Sequence, residues 1–315
     1  MKKCQKILIL ILFLASLWAP SSLAAQKLTL MLDWFPNVDH LPIYVAQHQG
    51  FFADEGLEIE IISPSETSDA LKLAAAGKVD LAVSYEPQII IAAARGLDVV
   101  VIGRLIEHPL TTLLFLTGRG ISEPRDLDGK KIGYTVPGLM DVLLDAFAKL
   151  NGIHEYEAIN VGFAIVQSLT AGKVDAVMGP FKTYETVTMA HKGYDVGYFE
   201  LEKWGIPDYD ELVFVSSKKT LKHKETPMRS FQGIIERAIA YAHKNPAIAL
   251  KNYLKEVPEA DSKTETAAFE LTLPYYATNQ KLDVKRWQQF ADFALEYGLV
   301  EKKVDVTDVL WTNGR

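Results

Sequence analysis

Aromatic, amide and carboxylate side chains recur together at three places in this chain. Asp33-Trp34-Phe35-Pro36-Asn37 runs on to His40, Tyr85-Glu86 is followed by Gln88, and Phe181 precedes Tyr184-Glu185. An aromatic face stacks on a planar ring, and two such faces can sandwich one. A carboxylate accepts hydrogen bonds from an exocyclic amine and favours protonation of a nearby ring nitrogen. Brought into one cleft, these side chains would suit a small aminated aromatic ring. Each also has a plainer reading. Trp34 and Phe35 suit a core, and Tyr85-Glu86 and Tyr184-Glu185 suit ordinary helix starts, where acids are favoured. His40 would touch ligand or cap a helix. Lys182, beside the third cluster, is a cation that would suit an anionic group.

The elements that must bring these places together follow from an internal repeat. Ala76-Gly77-Lys78-Val79-Asp80 returns as Ala171-Gly172-Lys173-Val174-Asp175, Glu55-Gly56-Leu57 resembles Asn151-Gly152-Ile153, and Lys27–Leu32 parallels Lys130–Tyr134. Each unit reads strand, helix, glycine stop, strand, helix, Gly-Lys-Val-Asp, strand. Asp80 and Asp175, duplicated in a turn-like spelling, read as strand-entry structure and not as chemistry. Strands alternating with helices give α/β lobes with parallel sheets. The expected layout is residues 26–116 in lobe one, 117–212 in lobe two, and 213–315 returning, mainly helical, to lobe one. Leu113–Leu116 is read as a late strand of lobe one and Glu211–Val215 as the returning strand. Two crossings make a hinge. Ligands of open parallel sheets sit beyond the C-terminal strand ends. All three clusters fall there, together with Thr112 and Gly138, which complete the candidate ligand-binding set.

Composition narrows the function. The chain has 315 residues, 49% of them hydrophobic, which excludes a disordered chain. Residues 1–25 have the layout of a secretory signal peptide: a basic start, an apolar run over Ile7–Ala19, and small residues before cleavage after Ala24 or Ala25. Cleavage removes Lys2, Lys3 and Lys6 and no acid, leaving 30 basic against 40 acidic residues, and it removes the single cysteine, Cys4. An exported, acidic, cysteine-free chain argues against nucleic-acid binding and thiolate chemistry. No Gly-x-Ser-x-Gly elbow, Walker A loop or His-Glu-x-x-His is present. The expectation is therefore no catalytic residue, no metal and no cofactor.

Asp33–Asn37, Phe51–Leu57, Ala75–Tyr85, Gly129–Tyr134 and Gly205-Ile-Pro-Asp-Tyr-Asp-Glu211 resemble the substrate-binding proteins of ABC importers for thiamine pyrimidine precursors. The resemblance covers nearly all the exported chain. It implies an α/β fold of the type 2 periplasmic-binding-protein kind and a hydroxymethylpyrimidine or formylaminopyrimidine ligand. It also implies a periplasmic monomer that delivers its ligand to a membrane permease and its ATPase. Carried over, Trp34 and Tyr85 or Tyr184 would stack on the ring, and Asp33, Asn37, Glu86 and Glu185 would bond its nitrogens. The Gly-Lys-Val-Asp elements are shared with sulfonate and nitrate binders, which keeps a small-anion binder open. The fungal-type pyrimidine synthase resembles the chain over Asp33–Gly56, but its cysteine-rich iron-binding segment has no counterpart here.

Overall fold

A computed structural model of the chain describes residues 25–312. The expected leader, apart from Ala25, lies outside the described residues. Two five-stranded sheets organise the rest. The first has the order β2-β1-β3-β10-β4, from β1 (Gln26–Met31), β2 (Leu57–Ile62), β3 (Leu81–Ser84), β4 (Val100–Ile106) and β10 (Leu212–Ser216). The second has the order β7-β6-β8-β5-β9, from β5 (Thr111–Leu116), β6 (Lys130–Tyr134), β7 (Tyr156–Asn160), β8 (Ala176–Phe181) and β9 (Val196–Glu200).

The repeat is the reason for the likeness. β1, β2 and β3 pair in parallel as β6, β7 and β8 do. Asp80 donates its N–H to Thr29 O and accepts Thr29 N–H on its carboxylate; Asp175 does the same with Lys131. That reciprocal pair ties the entry of the third strand to the first, which is the structural role expected of both aspartates. Gly77 and Gly172 follow the preceding helices in left-handed conformations (φ +64° and +66°), where a Cβ would be strained.

Each sheet takes as its fourth strand the first one made after a crossing. β5 enters the second sheet antiparallel to β8 and β9, and β10 enters the first antiparallel to β3 and β4. This corrects the reading of Leu113–Leu116 as a strand of the first lobe. An apolar run signals a buried strand but not its sheet, so the first crossing lies near 107–110 and not after 116. The return of Leu212–Ser216 to the first sheet is as expected.

The helices cover the sheets. In the first lobe these are α1 (Leu41–His48), α2 (Phe51–Asp54), α3 (Asp69–Ala75) and α4 (Glu86–Ala94); in the second, α5 (Met140–Asn151), α6 (Ile165–Thr170) and α7 (Glu185–His191). After β10 come α8 (Lys218–His223), α9 (Glu225–Lys244), α10 (Pro246–Glu256), α11 (Ser262–Thr272) and α12 (Val284–Glu296). α9 and α10 pack on α1, and α12 packs on α4, so the helical tail thickens the first lobe. The stripes Phe231, Ile234, Ile235, Ala238, Ala242 and Trp287, Phe290, Phe293, Ala294 are buried, as core stripes should be. Tyr297 is only partly buried at its edge.

Both crossings are stitched together. Glu211, on the second, accepts the N–H groups of Leu110 (2.5 Å) and Thr111 (2.7 Å) and the Thr111 hydroxyl (2.7 Å), all on the first. Next to it, buried Asp210 accepts from Arg286, Arg104 (3.3 Å) and Trp287 Nε1 (2.7 Å). Among the described residues no helix is long and apolar enough to cross a membrane.

Candidate functional site

A cavity lies between the lobes, about 380 Å³ when the space open to solvent is counted. Its first-lobe wall is the loop after β1. Asn37 accepts Asp39 N–H on its side chain (2.8 Å) and so starts the 3₁₀ turn Val38–His40 that leads into α1. The turn carries Asp39 and His40 back over the strand end, beside Asp33. Asp33 is 3% exposed and accepts two bonds, from Tyr85 Oη (2.6 Å) and His40 Nε2 (2.9 Å). Burial and the Asp33 charge push the Tyr85 hydroxyl far up, so it stays a phenol and keeps donating. The His40 tautomer that donates from Nε2 leaves Nδ1 buried and without a partner among the described residues. Asp39 has its carboxyl pushed well above the usual range, first by burial and then by the charges of Glu185, Asp33 and Glu265.

The second-lobe wall comes from β8 and α7. β8 pairs Phe181 with Thr111 and Met178 with Leu113, so Gly179 and Pro180 form a bulge. Gly179 has φ +123°, and a Cβ there would stand 2.1 Å from Thr135 Oγ1. Only glycine lets β8 pass Thr135, and the bulge redirects the strand end, placing Phe181 on the cavity. Tyr184 and Glu185 then open α7. Glu185 Oε2 accepts Phe181 N–H (2.7 Å), but burial outweighs that bond and lifts its carboxyl to about 7.

The two walls touch. Tyr184 Oη donates to Glu265 Oε1 of α11 (2.7 Å), and Glu265 Oε2 accepts Val38 N–H (2.9 Å) from the first-lobe loop. Thr67 of the first lobe donates to Thr135 O of the second (2.7 Å). Glu265 is fully buried, and its carboxyl is pushed up by that burial.

Of the twelve expected residues, the cavity brings together Asp33, Trp34, Asn37, His40, Tyr85, Phe181, Tyr184 and Glu185. It does not bring Glu86, Gln88, Thr112 or Gly138 to its lining. Glu86 points to the hinge, where Oε2 accepts Asp210 N–H (2.7 Å); burial and the Asp210 charge push its carboxyl up. Burial also pushes the Asp210 carboxyl up, against the charges of Arg286 and Arg104, whose guanidinium groups reach Asp210 and not Glu86. Gln88 accepts the Ser84 hydroxyl (2.7 Å), Thr112 donates to Pro180 O (2.8 Å) and so pins the bulge, and Gly138 makes a turn whose N–H meets Asp141 (2.7 Å). In each case a hydrogen bond elsewhere in the fold takes the side chain or glycine that strand-end position alone assigned to ligand. Lys182 lies off the cavity, where Glu200 and Glu202 (both 2.9 Å) outweigh burial and hold it charged.

The lining also holds Asp39, Thr135, Ile165, Gly179 and Leu212, which the sequence reading missed. Thr135 directly follows β6, and Gly179 lies in the bulge of β8. Chemically, the wall offers aromatic faces, three carboxyl groups, an amide and an imidazole, and neither lysine nor arginine. Among the described residues no cluster of His, Cys, Asp and Glu could hold a metal ion.

A family model described as NMT1/THI5 like matches residues 37–249. A protein of Haemophilus influenzae named putative thiamine biosynthesis protein is 39% identical over 89% of this chain and 90% of its own length. The formylaminopyrimidine-binding protein of Halalkalibacterium halodurans is 33% identical over 82% of this chain and 80% of its own. A protein of Saccharomyces cerevisiae named 4-amino-5-hydroxymethyl-2-methylpyrimidine phosphate synthase is 27% identical over 86% and 83%. Among solved structures, the alkanesulfonate-binding protein of Xanthomonas axonopodis pv. citri superposes with a TM-score of 0.72 at 19% identity, covering 90% of this chain and 98% of that one. The fold is that of the periplasmic binding proteins.

Proposed function

The chain belongs to the NMT1/THI5-like family, and from that premise we propose that it is the extracytoplasmic solute-binding component of an ABC importer. Its ligand is a thiamine pyrimidine precursor, hydroxymethylpyrimidine or formylaminopyrimidine, and it works by closure without chemistry. The observation that carries this reading is the cavity wall: Trp34, Tyr184 and Phe181 beside Asp33, Asp39 and Glu185, with no cationic side chain. Such a wall matches a flat ring whose edge carries hydrogen-bond donors or a protonated nitrogen. It lacks the guanidinium or ammonium groups that sulfonate or nitrate would need. The likeness to the sulfonate binder extends to the fold alone. Names borne by the two relatives above 30% identity support the thiamine pyrimidine connection.

In this reading Tyr184 and Trp34 face the ring. His40 Nδ1, buried and unpartnered, accepts from an exocyclic amine, and Glu185 meets a ring nitrogen. Asp33 is occupied by Tyr85 and His40, so it orients those two groups more than it bonds the ligand. Export to the periplasm, the permease and the ATPase belong to the same proposal, as do residues 1–25 as a cleaved leader and a monomeric chain.

Isothermal titration of the purified protein with 4-amino-5-hydroxymethyl-2-methylpyrimidine, its formylamino counterpart and taurine tests the ligand class. One of the pyrimidines should bind and come back chemically unchanged, and taurine should not bind. Glu185→Gln should weaken that pyrimidine by roughly 10- to 100-fold, the scale of one hydrogen bond to a charged group. Taurine binding, or conversion of the pyrimidine, would overturn the assignment.

A further inference from the structure

Phe163 stands outside the cavity lining, yet it meets both aromatic residues of the first-lobe loop after β1. It follows β7 in a turn fixed by two bonds, Gly162 N–H to Asn160 Oδ1 (3.0 Å) and Ala164 N–H to Val161 O (2.8 Å). Its ring lies 4.6 Å from that of Trp34, edge-on at 65°, and 4.6 Å from that of Phe35, tilted at 39°. Trp34 and Phe35 belong to the loop after β1, in the first lobe.

The two partners differ in kind. Trp34 lines the cavity and also packs on the second lobe's own small apolar cluster, which includes Leu114, Ile165 and Met189. Phe35 does not line the cavity, and half its surface is exposed. A ring in that position contributes nothing to a ligand wall and little to a core. Its placement is accounted for by Phe163, whose ring it and Trp34 both contact.

We infer that Phe163 is a positioning residue that sets how long the ligand stays: it clasps Trp34 and Phe35 across the cleft and holds the Trp34 face against the bound ring. The two ring contacts join different lobes, so they break together when the lobes part. Ligand enters and leaves through the open state, and these contacts exist only in the closed one, so loss of the clasp acts chiefly on release. This inference rests on the reading that the cleft takes a ligand, not on which ligand it is.

Stopped-flow Trp fluorescence tests it, with Trp34→Phe as the blank that separates Trp34 from Trp204, Trp287 and Trp311. The probe is whichever of the two pyrimidines the wild-type protein binds. Phe163→Ala should speed dissociation about tenfold or more with association within twofold of wild type. Phe163→Tyr, which keeps the ring, should restore slow release. Phe163→Leu, which keeps apolar bulk at this position, should fall between and guards against simple loss of folding. Unchanged dissociation in Phe163→Ala, or an equal loss in association, overturns the clasp. Should the wild type take neither pyrimidine, the ligand reading falls, and the clasp is decided by small-angle X-ray scattering. Phe163→Ala must then show a larger radius of gyration than wild type, and equal radii overturn it.

Discussion

Glu185 concentrates the electrostatics of the site in one side chain. Its carboxyl titrates near 7 in the folded chain because burial opposes ionisation, against an ordinary value of 4.5. Between those values the unfolded chain has released a proton that the folded chain keeps. The folded state therefore binds more protons, and stability falls as pH rises from about 4.5 to about 7, levelling above that. Glu185→Gln removes this penalty. Urea unfolding at pH 5 and pH 7.5 should show a smaller loss of stability across the interval for the variant than for wild type. A remaining loss is expected, since buried Glu211 is lifted to about 7 in the same direction. An unchanged loss would mean that Glu185 is ionised and solvated at neutral pH. The position of Glu185 was readable because it follows shortly after the end of β8. Asp39 was not, since an acid two residues after Asn37 looks like ordinary helix capping. Glu265 lies 227 residues beyond Val38, and no local spacing marks such a partner.

Elements aim these side chains, and two of them do so by irregularity. The Gly179-Pro180 bulge turns Phe181 onto the cavity, and Thr112 holds the bulge by its bond to Pro180 O. Gly179→Ala would put a methyl group against Thr135 and force a residue other than glycine into φ +123°. The expected cost is roughly 1–3 kcal/mol of stability with a matching loss of ligand affinity; thermal unfolding and titration of the same sample check both. The hinge is the second case. Gly205–Glu211 marked family resemblance in the sequence, and the structure gives its physics: Asp210 collects buried donors, and Glu211 ties the outgoing crossing to the returning one. Glu211→Leu removes the acceptor of the Leu110 and Thr111 N–H groups and leaves both buried donors unpaired. Chemical denaturation should register a loss of about 1–3 kcal/mol, while the cavity residues keep their places and ligand affinity changes less than stability does. The repeat made the two parallel β-α-β units legible. It was silent on β5, because the returning and crossing strands lie outside the repeated unit and their apolar runs suit either sheet.

At the scale of the whole molecule the lobes share a cavity and several direct bonds, and both kinds of contact depend on closure. The Tyr184–Glu265 and Thr67–Thr135 hydrogen bonds and the Phe163 ring contacts join the lobes directly. Each is small against the freedom gained by opening, so a ligand that touches both walls has leverage over the equilibrium. A ligand bound only to the native state stabilises it by mass action, about 2.7 kcal/mol at a hundredfold excess over its Kd. For a chain of this size that amounts to an increase of several degrees in Tm. Scanning calorimetry with a saturating pyrimidine should show that increase as one sharpened transition, because the ligand couples the lobes into one cooperative unit. Taurine at the same concentration should leave Tm unchanged, because Asp33, Asp39 and Glu185 face the cavity and Lys182 is already neutralised by Glu200 and Glu202. A pyrimidine that stabilises only one of two separate transitions would place its contacts on a single lobe and contradict a ring held between Trp34 and Tyr184.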